Sequence, residues 1–250
     1  MRLLQQTRLV FVRSSRPWLR SPMALLVGVA GPLVYLLLFG PLLKGTVVRG
    51  GGNPWQWFVP GMLMQLTLFG AAYAGFSLIP ELRSGVMERL RVAPVSRAAL
   101  LLGRVISDVF QLALQGVLLL ATATALGFRA SVPAMALALT LTAVLGAAIS
   151  SASYTLALKI KEEYKFAPLL SMLLVPLMLL SGVLLPMDAA PSWLHTLSRL
   201  NPLTHVVDAL RAIAVGHYGS HATLTGAVVA VVLAVLAVAW GMRTMSRELG

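Results

Sequence analysis

Seven charged side chains crowd into residues 80–104: Glu81, Arg83, Glu88, Arg89, Arg91, Arg97 and Arg104. Long apolar runs flank the stretch on both sides. Such a segment cannot lie in hydrocarbon, where each bare charge is costly. The chemistry open to it is docking through charge, on one face of a membrane. Pro80 suits the first position of a helix. Leu82, Val86 and Leu90 recur every four residues with Met87 beside them, and Glu81, Arg83, Glu88, Arg89 and Arg91 take much of the remaining circumference. Pro94 stops that helix and Ser96 can cap the next. The pattern predicts an amphipathic helix of about three turns. The competing reading is a solvated linker that hugs the membrane.

Other chemistry is sparse. No Gly-x-x-x-x-Gly-Lys-Ser/Thr loop is present, so the chain does not hold nucleotide in that way. There is no His-Glu-x-x-His and no cysteine, hence no thiolate metal site and no disulfide framework. All four histidines (His195, His205, His217, His221) fall in one segment. His217 and His221 are four apart and could share a helix face, but no third metal ligand accompanies them, and no metal site is expected. Within the apolar runs the only carboxylate is Asp108. Arg104 precedes it by one helical turn, so Asp108 is either half of a local pair or a proton relay. No serine–histidine or paired-aspartate arrangement falls on facing runs, which argues against an intramembrane protease. The scarcity of buried ionisable groups argues against an ion-driven carrier.

The composition says what positions these residues. The chain has 250 residues, 58% apolar and 11% charged, with a net charge of +12. Soluble domains are about a quarter charged, so a polytopic membrane protein is indicated. Six apolar runs, at about 23–43, 57–79, 98–126, 133–158, 166–185 and 224–242, each approach the roughly 20 residues that a bilayer demands. Residues 1–21 carry five arginines on an apolar-periodic background and predict a helix lying in the membrane interface, retained as an anchor and not cleaved. With both termini cytosolic, fifteen of the 20 Lys and Arg residues fall inside and five outside. The membrane thus accounts for the basic excess, and no nucleic-acid partner is expected.

The segment 186–223 is the second irregular feature. Trp193, Leu194, Leu197 and Leu200 form one short apolar stripe; Asn201-Pro202 breaks it, since the residue before proline avoids the α region. Leu203, Val206, Val207, Leu210 and Ile213 form a second stripe, which Gly216 can end. A helix of about 203–215 is too short to span, at about 1.5 Å per residue. The pair reads as a re-entrant or interface-lying hairpin on the outer side, with an ordinary long loop as the alternative. Small residues cluster at Gly70–Gly75 and Gly146–Ser153 and line one face of 224–242. They mark either close helix packing or a translocation path.

Two motifs carry a family resemblance. Residues Glu81 to Arg97 read Glu-x-x-x-Gly-x-x-Glu-x-Leu-x-x-x-Pro-x-Ser-Arg, with Gly103-Arg104 following. Leu180-Ser-Gly-Val-Leu-Leu-Pro186, Pro191-Ser-Trp193 and Leu200-Asn-Pro-Leu203 form the second. Together they resemble the type-2 ABC exporter permeases, in particular the daunorubicin-resistance and nodulation-type subgroup, over essentially the whole chain. The resemblance implies a permease dimer, homo- or heteromeric, served by two copies of a separate ATP-binding cassette subunit. That partner would hold the ATP and magnesium, so the permease needs no cofactor and is no enzyme. Residues 80–97 would form the coupling helix loop, with Glu81, Arg83, Gly85, Glu88, Arg89 and Pro94 at the coupling site. Pro191, Trp193, Asn201 and Pro202 would belong to the outer gate.

The fold class expected is therefore an all-α integral membrane protein. It has six transmembrane helices, an N-terminal interfacial helix, a cytosolic coupling helix and an outer re-entrant hairpin in a single permease domain. It would sit in a bacterial inner membrane, in contact with lipid, and export an amphipathic drug or lipid-like molecule. The alternatives are an ion-coupled secondary carrier, a permease for polysaccharide or glycolipid export, and a membrane scaffold without transport.

Overall fold

The computed structural model of the chain describes residues 3–43, 53–84, 96–184, 187 and 190–248. Among the described residues the regular structure is entirely helical. The helices are α1 (Leu3–Leu19), α2 (Pro22–Leu43), α3 (Pro54–Ala72), α4 (Leu78–Arg83), α5 (Arg97–Leu126), α6 (Val132–Ile160), α7 (Glu163–Leu180), α8 (Ser192–Leu200), α9 (Pro202–Ala214) and α10 (His221–Glu248). A 3-10 segment, Tyr73–Ser77, joins α3 to α4. Among the described residues, five helical stretches are long and apolar enough to cross a membrane: Pro54–Arg83, Arg97–Leu126, Val132–Ile160, Glu163–Leu180 and His221–Arg247. In α2 the shorter apolar stretch Leu26–Gly40 is described.

Local chemistry sets the helix starts. Asn53, Ser96, Ser131 and Asn201 all occupy N-caps, and each side-chain oxygen accepts a backbone N–H of the first turn, at 3.0–3.3 Å. Proline follows within two residues of the cap in α3, α6 and α9, where its missing N–H removes a donor that had no partner. At its far end α9 closes with Gly216 at φ 86. There His217 N–H reaches back to Ala212 O at 2.9 Å and Gly216 N–H to Ile213 O at 3.0 Å, the double bond that caps a helix through a left-handed residue.

The centre of the bundle is α3. Val59, Met62, Met64 and Leu68 are almost wholly enclosed, by α2, α5, α6 and α9. Its polar termination differs from the sequence expectation. Pro80 does not open a separate helix; it lies inside α4, which continues α3 through the 3-10 segment. The tighter turn accommodates a proline that would clash in an unbroken α-helix. Ser153 of α6 fills the break, its hydroxyl donating to Ala72 O and accepting from Gly75 N–H at 2.9 Å.

The periphery is apolar. On α10, Leu224, Val228, Val235 and Leu236 are exposed, as are Leu26, Val27, Leu37 and Leu38 on α2. Such a girdle suits hydrocarbon and not water. α9 is enclosed by α3, α6 and α10, with Val206, Val207, Ala209 and Leu210 buried. α8, by contrast, leaves Trp193 and Leu200 exposed.

α1 is more than a surface strip. Gln6, Ser15 and Trp18 are buried against α5. Trp18 Nε1 donates to Ser107 Oγ at 3.3 Å, and Phe11 and Trp18 both pack on Phe110. The contact is closest at Gly103, where an added Cβ would stand 2.6 Å from Val10 Cβ and 2.9 Å from Thr7 O. Gly103→Val is therefore expected to lift α1 from α5, at an overpacking cost of about 1–3 kcal/mol. Thermal unfolding of the purified chain should shift down by several degrees, and α1 should become more open to protease. An unchanged midpoint with α1 still protected would refute the close docking.

Candidate functional site

One face of α5 carries Arg104, Asp108, Gln111 and Gln115, spaced four, three and four apart, which aligns them along the helix. The face looks into a cavity of about 760 Å³ bounded by α1, α2, α3, α4, α5 and α6. Phe69, Gly70, Tyr73 and Leu112 supply its apolar wall, and Arg13, Ser14 and Pro17 of α1 its rim. Gln115 closes the inner end, its amide packed against Gly28 of α2.

The charges in this cavity are organised around Arg104, which is 6% exposed. Its Nη2 donates to Glu81 Oε2 at 2.5 Å. The guanidinium also stands over the Tyr154 ring, 5.9 Å from the centroid. The Tyr154 hydroxyl, buried on α6, faces the Asp108 carboxylate, with the Ser77 hydroxyl on its other side. Among the described residues, Arg104 Nε and Asp108 Oδ2 have no hydrogen-bond partner. Arg104 and Asp108 therefore do not form the local pair that their spacing allows: the guanidinium is taken by Glu81, 23 residues away in the chain.

Glu81 thus faces inward, while Arg83 is exposed. Gly85, Glu88, Arg89 and Pro94 lie outside the described residues. Both ends of the charged stretch are nonetheless tied down. Glu81 holds the first, and Ser96, whose N–H donates to Gln6 Oε1 of α1 at 3.0 Å, holds the second. Nearby, in the turn between α6 and α7, Lys165 bonds Glu162 at 2.6 Å. That bond holds the Glu162 carboxyl below its ordinary value, with a further pull from Tyr164 and a smaller one from Arg83.

At the opposite end, Asn201 is 5% exposed. Its Oδ1 caps α9 and its Nδ2 donates to Leu177 O at 2.7 Å, near the end of α7. Thr204 donates to Ser198 O at 2.7 Å. Arg211 donates to Gly182 O at 2.7 Å and stacks over Trp57, 4.3 Å from its centroid. Asn201 and Pro202 thus sit where α9 meets α7. Pro191 and Trp193 lie out on the surface. Two of the histidines take local partners: His205 Nε2 meets Arg199 O at 3.2 Å, and His221 Nδ1 meets Thr225 Oγ1 at 3.3 Å. Among the described residues no group of three or more His, Asp or Glu is arranged to hold a metal.

The sequence reading missed the stripe on α5 and the role of Arg211. The first had a signal: four polar residues at helical spacing inside an apolar run. The second had none, because Trp57 and Gly182 reach Arg211 only through the fold.

A helical bundle with an apolar girdle and a cavity that holds Glu81, Arg104 and Asp108 has the build of a transport subunit. Comparison with known sequences agrees. Residues 5–215 match the profile of the ABC-2 type transporter family, and the chain belongs to that family. It is 28% identical over 204 residues to the daunorubicin resistance ABC transporter permease protein DrrB1 of Streptomyces coeruleorubidus, covering 79% of this chain and 71% of that one. It is 28% identical over 214 residues to nodulation protein J of Rhizobium leguminosarum bv. trifolii, covering 83% and 80%. It is 23% identical over 219 residues to the probable doxorubicin resistance ABC transporter permease protein DrrC of Mycobacterium tuberculosis, covering 86% and 76%. The chain is thus a membrane-embedded ABC transporter permease.

Proposed function

We propose that this permease exports an amphipathic drug or lipid-like molecule from the cytosol or inner leaflet, driven by a separate ATP-binding subunit present in two copies. In this reading α2 joins the five longer helices as a sixth span, both termini are cytosolic, and two permease chains make the working unit. The membrane is the bacterial inner membrane. α1 lies at its cytosolic interface, and α8 with α9 forms the outer gate.

The observation that carries the reading is the double tether of the charged loop, Glu81 to Arg104 at one end and Ser96 to Gln6 at the other. A push on residues 85–95 by a partner would pass at once into α5 and α1, and so into the walls of the cavity. Closure of the ATP-binding subunits would then rock the permease halves as rigid bodies. Glu81 and Arg104 would set the loop, while Arg83, Gly85, Glu88, Arg89 and Pro94 would meet the partner. The large apolar surface and the nearly charge-free helices favour an amphipathic cargo over a polyanionic sugar.

The test is reconstitution with the ATP-binding protein that co-purifies. Transport should require ATP hydrolysis, and Glu88→Arg should keep the permease folded and assembled in the membrane while ATP use no longer drives export. A surface charge swap of this kind costs under about 0.5 kcal/mol, so loss of the folded chain would instead assign Glu88 a structural role. Transport that needs no nucleotide-binding protein and follows a proton gradient would overturn the exporter reading.

A further inference from the structure

Two side chains of opposite charge, one turn apart on α5, each keep a buried polar atom unpaired: Arg104 its Nε and Asp108 its Oδ2, among the described residues. Buried groups left so are costly, and native structures seldom keep them without a reason. A separation of four residues is one at which an arginine and an aspartate on a helix reach each other. Glu81 prevents it here by holding the Arg104 guanidinium at 2.5 Å. Both α5 side chains line the cavity of about 760 Å³, which gives the guanidinium space to turn. Tyr154 spans the two carboxylates. Its ring lies 5.9 Å from the guanidinium, and its hydroxyl faces Asp108; an aromatic face is a favourable surface for a cation to cross. The carboxylates differ in what carries them. Asp108 is set in the continuous helix α5. Glu81 stands on the short α4, beyond the 3-10 segment and two residues before the exposed Arg83. A displacement of α4 therefore moves one carboxylate and leaves the other in place.

We propose that Asp108 is a positioning residue, a second seat for the Arg104 guanidinium: when α4 is drawn away from α5, Arg104 passes from Glu81 to Asp108, and it passes back when α4 returns. The inference rests on the reading of residues 80–97 as the loop that takes the partner's push, and it names what that push releases. The exchange is balanced. One ion pair breaks and one forms. Glu81, whose side chain is 30% exposed, turns to water as it leaves, while the unpaired Asp108 oxygen gains a donor. Two arrangements of similar energy are what a small bias can switch. Along the helix axis the two residues are about 6 Å apart, so the handover carries a positive charge further along the cavity wall.

The test uses the full chain, purified in detergent without the partner subunit. The sequence has no cysteine, so Ser84→Cys, exposed at the end of α4, and Val117→Cys, exposed on α5, take nitroxide labels at those two sites alone. Pulsed electron–electron resonance then reads the distance from α4 to α5. Glu81→Gln weakens the first seat and should enlarge a longer-distance population at least about threefold over the parent. Adding Asp108→Asn to Glu81→Gln removes the second seat and should reverse that gain, returning α4 toward α5. A merely structural Asp108 predicts the opposite, since a second lesion would loosen α4 further. A longer population that persists or grows in the double variant overturns the proposal, as does its absence in Glu81→Gln. Should the Asp108→Asn chain fail to fold, Asp108→Glu decides. It keeps the charge, reaches further toward Arg104, and should by itself enlarge the longer population; no change or a fall overturns the proposal. Neither ATP nor the partner enters these measurements, so failure here leaves the coupling-loop reading to the Glu88→Arg test.

Discussion

Arg104→Met is expected to be the most damaging single change in the chain, lowering stability by about 3–5 kcal/mol, the range for breaking a buried ion pair from one side. Removing the guanidinium strands two carboxylates at once. Glu81, whose side chain is 30% exposed, can turn to water; Asp108 loses its nearest positive charge and keeps only Tyr154. The reverse deletion is milder. Glu81→Gln leaves Arg104 buried, but with Asp108 one turn away and the Tyr154 ring beneath it, and should cost about 1.5–3 kcal/mol, the worth of a hydrogen bond to a charged group. At about 2–4 °C per kcal/mol for a chain of this size, thermal unfolding in detergent should separate the two variants clearly. The double variant should be less harmed than the sum of the singles, since each removes the same bond. Equal losses for the two singles, or strict additivity in the double, would show that the pair does not organise this end of the cavity.

Asn201 should give the second largest effect, and the ranking of its substitutions is diagnostic. Its two functions use different atoms: Oδ1 caps α9, and Nδ2 binds Leu177 O on α7. Asn201→Ser keeps a capping oxygen and loses the bridge, for about 1 kcal/mol. Asn201→Leu loses both, adding the cap's roughly 0.5–2 kcal/mol. Asn201→Asp keeps the cap but turns an anion toward the Leu177 carbonyl at a site only 5% exposed, and should be the worst of the three. At an ordinary exposed N-cap, Asp and Asn are nearly interchangeable. A midpoint for Asn201→Asp close to that of the parent would therefore mean that the α7 bridge is not made.

The helical character of the chain was open to reading because apolar runs of bilayer length have few other uses, and because Ser96, Asn201 and Gly216 punctuate them with residues whose capping chemistry is local. Partnerships across the bundle were another matter. The spacing of Arg104 and Asp108 pointed to a pair on one helix; the fold gives Arg104 to Glu81, since α4 swings that carboxylate across to α5. Pro80 looked like the start of a helix because proline is welcome there, and nothing nearby in sequence announces that a 3-10 turn from Tyr73 makes room for it further in. The second apolar stripe, Leu203 to Ile213, resembled the first in pattern, yet α9 is enclosed and α8 is not. Periodicity identifies an apolar face but not how many neighbours surround it. The cavity itself is a gap between six helices, and only its α5 wall leaves a trace in the sequence.

The interruption at Tyr73–Ser77 has a mechanical consequence. A helix behaves as a stiff shaft only while its i to i−4 bonds run unbroken, and here they do not. α4 and the 3-10 turn lean on α6, where the Ser153 hydroxyl bonds both sides of the break. Torque applied at Glu81 is therefore not wound up along the axis of α3. It is handed sideways, like a gear meshing with a parallel spindle, into α6, which runs unbroken from Val132 to Ile160 and carries both α9 and α10 on its flank.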